Sequence, residues 1–311
     1  MRYLEKINYS LKKLMKNNKD LYLMGEDLLD PYGGAFKVTK EISSLYPSRV
    51  LTTPISEAAI AGIACGMSMN NKKVILEIMF GDFLSLTFDQ MLNHISKFQW
   101  LFNQIKMPLI IRTPMGGYRG YGATHSQSIE KHFCGIPNLN VISIDRYCDI
   151  ERIYEEALNS NSPTLIIENK ILYSKKQLQN KDLPFYDKPD IICVAYGGVL
   201  DFCVESSLEI FKEEEINVSV YNVNKLNPFQ KDMIKKLSKL SKKFLFVEEG
   251  CGEWGFSEMC NSSLVGINDI KTISVKGPNH PLPSSKKWET ELLPNKDRIK
   301  EAIIELYKSN A

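Results

Sequence analysis

Thr52-Thr53-Pro54-Ile55-Ser56-Glu57-Ala58-Ala59-Ile60-Ala61-Gly62 reads as the passage from a strand into a helix. The short run Arg49–Thr52 leads into it, Pro54 interrupts it, and Ser56 or Thr53 stands where a helix N-cap belongs. Beyond it, Ala58, Ile60, Ala61, Ile63, Ala64, Cys65 and Met67 offer no polar face. A helix over Ser56–Asn70 is therefore expected to be buried on most sides. One carboxylate, Glu57, opens it. A carboxylate at the head of a buried helix is costly unless something pairs with it, and burial favours the protonated form, which can donate a hydrogen bond. The same residue type also suits the positive end of a helix dipole, and the local text does not separate the two roles.

Working outward, the alternation of short apolar runs with helical periods repeats along the chain, which predicts an α/β fold. Strands are expected at Leu21–Met24, Arg49–Thr52, Lys73–Met79, Pro108–Thr113, Asn140–Ile144 and Thr164–Glu168. Helices are expected between them at Arg2–Lys16, Ala35–Tyr46, Ser56–Asn70, Phe83–Phe102 and Ile150–Ser160. Several strands are continuous apolar runs, as in a parallel sheet covered on both faces. From Ser174 to Lys188 the text turns polar and is followed by Pro189. This predicts a domain over 1–175, a linker over 176–189 and a second α/β domain over 190–311. The second has strands at Ile191–Ala195, Asn217–Asn222, Lys243–Val247 and Lys271–Ser274, and helices at Leu200–Lys212, Lys231–Leu240, Phe256–Leu264 and Lys296–Lys308.

With 311 residues the chain exceeds the size at which one core stops growing, which also argues for two domains. A net charge of +2 without a basic block argues against a nucleic-acid partner. No apolar stretch is long enough to span a membrane, and the first residues open into an amphipathic pattern without a signal-peptide core. Seven cysteines, odd in number and without a Cys-x-x-Cys, fit reduced thiols rather than a disulfide framework or a zinc site. A cytoplasmic protein is the expectation.

The chain has only four histidines, and two lie in Ala123-Thr124-His125-Ser126-Gln127-Ser128-Ile129-Glu130-Lys131-His132. The glycine-rich run Gly116-Gly117-Tyr118-Arg119-Gly120-Tyr121-Gly122 precedes them and follows a strand. Open α/β sheets place ligands at the carboxyl ends of strands, so His125 is a candidate acid–base or substrate-orienting group. His94, His132 and His280 read as structural or turn residues. Phe80-Gly81-Asp82-Phe83 follows the strand Lys73–Met79, and its aromatics could stack on a flat heteroaromatic ring or simply pack a helix start. Gly197-Gly198 and Glu248-Glu249-Gly250-Cys251-Gly252 read as ordinary turns after strands. No dinucleotide fingerprint, Walker loop or paired-histidine metal motif occurs.

Several of these stretches occur in an order that resembles a known family: Gly25-Glu26-Asp27, Gly33-Gly34-Ala35-Phe36, Thr53-Pro54-Ile55-Ser56-Glu57, Glu77-Ile78-Met79-Phe80-Gly81-Asp82-Phe83, Ile111-Arg112-Thr113-Pro114, His125-Ser126-Gln127-Ser128, Val247-Glu248-Glu249 and Gly277-Pro278. Over nearly its whole length the chain resembles the beta subunit of the decarboxylating component of 2-oxo acid dehydrogenases, of the pyruvate and branched-chain type. The resemblance implies a thiamin diphosphate pyrimidine-binding domain followed by a transketolase C-terminal-like domain. It implies an alpha subunit that supplies the diphosphate and Mg²⁺ site, usually in an α₂β₂ assembly. No Gly-Asp-Gly motif for Mg²⁺-diphosphate occurs here, which fits half an enzyme. By position, Glu57 matches the glutamate that hydrogen-bonds N1′ of the aminopyrimidine and so promotes loss of the thiazolium proton. Phe83 matches the aromatic that stacks on the pyrimidine, with Phe80 beside it, and Ile55 matches a residue whose backbone contacts the ring. His125 matches a histidine that orients the substrate carboxylate or assists the acyl-acceptor step. Some members bind a structural K⁺ through backbone carbonyls at positions matching Leu109, Ile110, Ala157 and Ser160.

Two departures bear on function. The family's Asp-Leu-Arg after a strand of the C-terminal domain reads Asn222-Val223-Asn224 here, and Ser284-Ser285-Lys286-Lys287-Trp288-Glu289 replaces proline-rich text. In the family that domain helps hold the lipoyl-bearing partner. The first reading is oxidative decarboxylation of a 2-oxo acid with transfer of the acyl group to the lipoyl arm of an acyltransferase. The alternative is a carboligase of the same cofactor that passes the unit to a carbonyl acceptor such as a sugar.

Overall fold

The strands β1 (Leu21–Glu26), β2 (Val50–Thr53), β3 (Lys73–Glu77), β4 (Leu109–Met115), β5 (Asn140–Ile144) and β6 (Thr164–Asn169) form one parallel sheet in the order β2-β1-β3-β4-β6-β5. This computed structural model describes residues 1–102 and 105–309, so the last two residues of the expected second domain lie outside the described ones. All seven residues of β4 are buried, as a strand covered on both faces requires. In the second half, β7 (Ile191–Ala195), β8 (Val218–Asn222), β10 (Lys243–Val247) and β11 (Lys271–Val275) make a parallel sheet in the order β11-β10-β7-β8. Between them β9 (Lys225–Asn227) leaves its own half and pairs antiparallel with β5, closing the edge of the first sheet. This three-residue strand was too short to read from periodicity.

Helices Tyr3–Asn17 and Ile150–Asn159 cover one face of the first sheet through Ile7, Leu11, Ile150 and Tyr154 against Ile75, Ile110 and Ile166. Helices Leu200–Glu214 and Lys296–Lys308 cover the outer face of the second. The inner faces share one core: Leu76, Ile111 and Leu165 join a single apolar cluster with Ile192, Val194, Phe244 and Phe246. The two units are thus fused through buried hydrophobic surface, which favours cooperative behaviour.

Three expectations need correction. The helix expected over Ala35–Tyr46 shrinks to Ile42–Leu45, because Lys37 and Glu41 adopt left-handed backbone. Asp30 accounts for part of this: its carboxylate accepts from the backbone of Glu41 and Ser44 and from both serine hydroxyls, Ser43 and Ser44. Such side-chain bonds compete with helix formation. Phe83–Phe102 is helical but irregular: a 3₁₀ segment Gly81–Thr87, a π-helix Gln90–Ile95 and an α-helix Ser96–Leu101. The hydroxyls of Ser85 and Thr87 bond carbonyls three residues back, which suits the tighter winding. Finally, helix Glu57–Met69 buries only the face of Glu57, Ile60, Ala61, Ala64, Cys65 and Ser68. Its opposite face, Ala58, Ala59, Ile63 and Gly66, is exposed, with Ile63 at 55%. A helix without a polar face is therefore half uncovered in the single chain. Among the described residues no helix is long and apolar enough to cross a membrane.

Candidate active site

Because β2, β1, β3, β4 and β6 are neighbours and parallel, the loops that follow them leave the sheet on one edge. Strand β2 delivers Pro54-Ile55-Ser56 and then Glu57 as the first residue of its helix. Ser56 occupies the cap position but makes no side-chain capping bond, and the Thr53 hydroxyl is buried without a partner, so the expected cap does not form. Glu57 is 6% exposed, and its carboxylate has no hydrogen-bond partner among the described residues. At the end of β1 lies a second buried acid, Glu26, whose Oε1 is also unpartnered. Burial pushes Glu26 up to about 7, the charges of Glu57, Asp27 and Glu77 add to this, and the Ser56 backbone N–H opposes it. Two carboxylates thus share one polar-poor corner of the edge. Ile55 stands 80% exposed beside them.

From β3 the chain runs to Phe80 and the segment Gly81–Thr87, against which helix Glu57–Met69 packs. The His125 ring sits edge-on to both aromatics, 4.9 Å from Phe80 and 5.2 Å from Phe83 between centroids. Phe80 and Phe83 are 6.2 Å apart, and Phe36 meets Phe80 at 5.5 Å. Edge-to-face geometry of this kind holds rings in fixed orientation. His125 is half-buried, and its Nδ1 is 3.1 Å from the Thr124 hydroxyl. Asp82 accepts from the backbone N–H (3.1 Å) and side chain (3.0 Å) of Gln127, tying the aromatic segment to the histidine loop.

The glycine-rich loop that carries His125 is held from the second half of the molecule. Glu249 accepts the N–H of Gly117, Glu289 accepts that of Gly120 at 2.6 Å, and the Tyr118 hydroxyl donates to the Pro294 carbonyl at 2.8 Å. Glycine is required sterically: a Cβ on Gly117 would lie 2.6 Å from Leu293 Cδ1, and on Gly120, with φ of +72°, 2.9 Å from Lys286 Cβ. The segment 284–294, whose first six residues are the ones that depart from the family text, is therefore part of the loop's clamp. Asn222 and Asn224 are clamps too: both side-chain amides donate to Asp145 Oδ2, at 3.3 and 2.6 Å, joining the ends of β8 and β5. Glu248 and Glu249, read as part of an ordinary turn, are both buried; Glu248 accepts from the backbone of Phe256 and Ser257.

Sequence reading missed a buried charge network under this edge. Arg112 on β4 is fully buried, bidentate to Glu168 at 2.6 Å on each arm, and bonded to Glu77. The hydroxyls of Tyr154 and Tyr173 complete Glu168 at 2.8 Å each. It also missed Lys170, at the end of β6, which is fully buried and donates to the His125 carbonyl at 2.7 Å. The signal available was a lysine placed directly after the strand Thr164–Asn169. Of the four carbonyl positions matched to a K⁺ site, Leu109 and Ile110 lie in β4, and Ala157 and Ser160 lie at the end of helix Ile150–Asn159, which packs on β4. The Ala157 carbonyl accepts the Ser160 N–H. Among the described residues no group of three or more His, Cys, Asp or Glu side chains is arranged to hold a metal. The site does not include the remaining histidines: His94 faces Asp89 at 3.8 Å, His132 is exposed, and His280 bonds the next carbonyl. All seven cysteines are free and at least half-buried.

A parallel sheet whose carboxyl edge gathers buried acids, a ring cluster and a histidine defines a ligand-binding α/β protein. The chain belongs to the transketolase family: residues 1–176 match the transketolase pyrimidine binding domain, and residues 186–299 match the transketolase C-terminal domain. It is 27% identical to the acetoin:2,6-dichlorophenolindophenol oxidoreductase subunit beta of Bacillus subtilis (strain 168), covering 96% of this chain and 95% of that one. Identity is 27% to the 2-oxoisovalerate dehydrogenase subunit beta of the same organism, covering 98% of both. It is 26% to the mitochondrial pyruvate dehydrogenase E1 component subunit beta of Bos taurus, covering 98% of this chain and 89% of that one. A solved structure, described as a split gene transketolase in an inactive beta4 tetramer, shares the fold with a TM-score of 0.78 at 18% identity, covering 97% of both chains.

Proposed function

We propose that this chain is the beta subunit of a thiamin diphosphate-dependent enzyme that decarboxylates a 2-oxo acid and passes the acyl group to a lipoyl carrier. Its edge would be completed by an alpha subunit that brings the diphosphate and Mg²⁺ site. The carrying observation is Glu57, a buried residue at the ligand edge of the sheet whose carboxylate takes no hydrogen bond from the described residues. A carboxylate in that state has unmet hydrogen-bonding capacity that a ring nitrogen satisfies. The residues fit such a ring: the unpartnered Oε1 of Glu26, the exposed Ile55 and the rings of Phe80 and Phe83 lie on the same edge. Glu57 would hold the pyrimidine at N1′, Phe83 would cover its face, and the backbone at Ile55 would touch its rim. A bound thiamin supplies a carbon nucleophile and an electron sink for the pair left behind when CO₂ departs.

The protein's own contribution is proton handling and orientation. Glu57 holds or releases a proton at the ring nitrogen, helped by its own burial. His125, fixed edge-on against two rings, orients the substrate carboxylate or gives and takes the proton of the acyl-acceptor step. Relatives named as beta subunits support an alpha partner. So do Ile55, Ile63, Leu86 and Phe88, apolar residues left exposed on adjacent elements beside the site.

The test is co-expression with an alpha-like chain encoded beside it, followed by ferricyanide reduction with a panel of 2-oxo acids. Thiamin- and Mg²⁺-dependent turnover of an oxo acid supports the reading, and acceleration by a lipoyl domain identifies the acceptor. Turnover that requires a carbonyl acceptor and ignores the lipoyl domain would replace this reading with a carboligase.

A further inference from the structure

Lys170 is the residue of this edge whose role no sequence motif assigns. It enters from the end of β6, is fully buried, and its ammonium makes one hydrogen bond among the described residues, to the His125 carbonyl at 2.7 Å. The same ammonium lies 5.4 Å from the centroid of the Phe80 ring and 5.7 Å from that of Tyr121. Phe80 in turn is the ring that meets the His125 imidazole at 4.9 Å. One cation therefore touches both supports of the histidine, its backbone and the ring against which its side chain rests. Cation–π contacts gain strength when the charge is desolvated, as it is here.

We infer that Lys170 is a positioning residue that fixes His125 in its working orientation, an inference that rests on the role proposed for His125. Its charge is supported from both halves of the molecule. Asp82 of the aromatic segment faces it, as do Glu249 and Glu289 of the second half; burial and Arg119 of the glycine-rich loop act against the charge. The balance lowers the ammonium to about 8. Deprotonation would remove the cation–π contacts and weaken the bond to the carbonyl, so His125 should loosen as pH rises past that point. Because Glu249 and Glu289 also bind the backbone of the loop, charge loss at Lys170 would be felt where the two halves clamp it.

The experiment uses the 311-residue chain labelled with ¹⁵N-histidine, which gives the ring signals of four histidines to follow. In the wild type, the His125 signal should show a step near pH 8 that is separate from its own protonation. That step should vanish in Lys170→Met, with the other three signals unmoved, and also in Lys170→Arg, which stays charged throughout. In the reconstituted complex, Lys170→Met should raise KM for the oxo acid about tenfold with thiamin affinity unchanged, and Lys170→Arg should recover part of the loss. A wild-type spectrum without the step, or a His125 signal identical in Lys170→Met, would overturn the inference; if Lys170→Met does not fold, the wild-type and Lys170→Arg spectra decide it. A complex that turns over no oxo acid would sink the proposed function and leave the histidine spectra to judge Lys170 on their own.

Discussion

Glu130 offers a quantitative test of the joint between the two halves. It precedes the short helix Lys131–Cys134, is 4% exposed, and has one oxygen bonded by the Tyr196 hydroxyl while the other is buried without a partner. Burial pushes it up from 4.5 to about 7; Glu249 and Glu248 add to this, and the Tyr196 bond opposes it. A carboxyl whose folded value is raised binds more protons in the folded than in the unfolded state. Its contribution to stability is therefore complete below pH 4.5 and lost as pH climbs through 7. At about 1.4 kcal/mol per unit, the loss amounts to about 3 kcal/mol, and no solvent screening reduces it at a buried site. Glu130→Gln removes the titration and keeps an acceptor for Tyr196, at a cost of about 1 kcal/mol for an amide donor without a partner. The variant should be more stable than wild type by about 2 kcal/mol at pH 8 and slightly less stable at pH 5. Urea unfolding from pH 5 to 8.5 at fixed ionic strength measures the difference, in which other titrating groups such as Glu26 cancel. A difference that stays flat across this range would refute the reasoning.

The same physics yields further expectations. Arg112→Met leaves Glu77 and Glu168 buried and unpaired, and should cost about 3–5 kcal/mol in urea unfolding; a change below 1 kcal/mol would show that the network is not holding the strands together. Ile63→Asp, on the exposed face of its helix, should alter stability by less than about 0.5 kcal/mol yet abolish co-purification with the alpha-like chain; an intact complex would place that partner elsewhere. His125→Ala should change KM values across oxo acids while leaving thiamin affinity within a few-fold, as measured by cofactor titration of the complex. An unchanged substrate profile would remove His125 from substrate handling.

The parallel strands of both sheets were legible because most are short apolar runs bounded by turn residues, and β4 is buried along its whole length, whereas the three-residue β9 was not legible. What could not be read were features decided by partners distant in sequence. Arg112 lies inside an apolar run and is held there by Glu77 and Glu168, from two neighbouring strands. Lys170 and Glu249 lie 79 positions apart and act on one loop. The misread helix over Ala35–Tyr46 failed because Asp30, outside the window, takes its backbone donors. The helix opened by Glu57 was read correctly in place but not in burial, since a run without polar residues does not reveal which chain covers it. Of the candidate site, Phe80, Phe83 and His125 come together as rings in contact, and Glu57 stands on the same edge.

The most direct measurement compares wild type with Glu57→Gln in the complex reconstituted with its alpha-like chain, thiamin diphosphate and Mg²⁺. Proton handling by a positioned carboxylate contributes about 10²–10⁴-fold to rate, so turnover should fall at least about a hundredfold while assembly and the fold persist. A rate within a few-fold of wild type would contradict the role given to Glu57, and with it the account of this edge as a thiamin site.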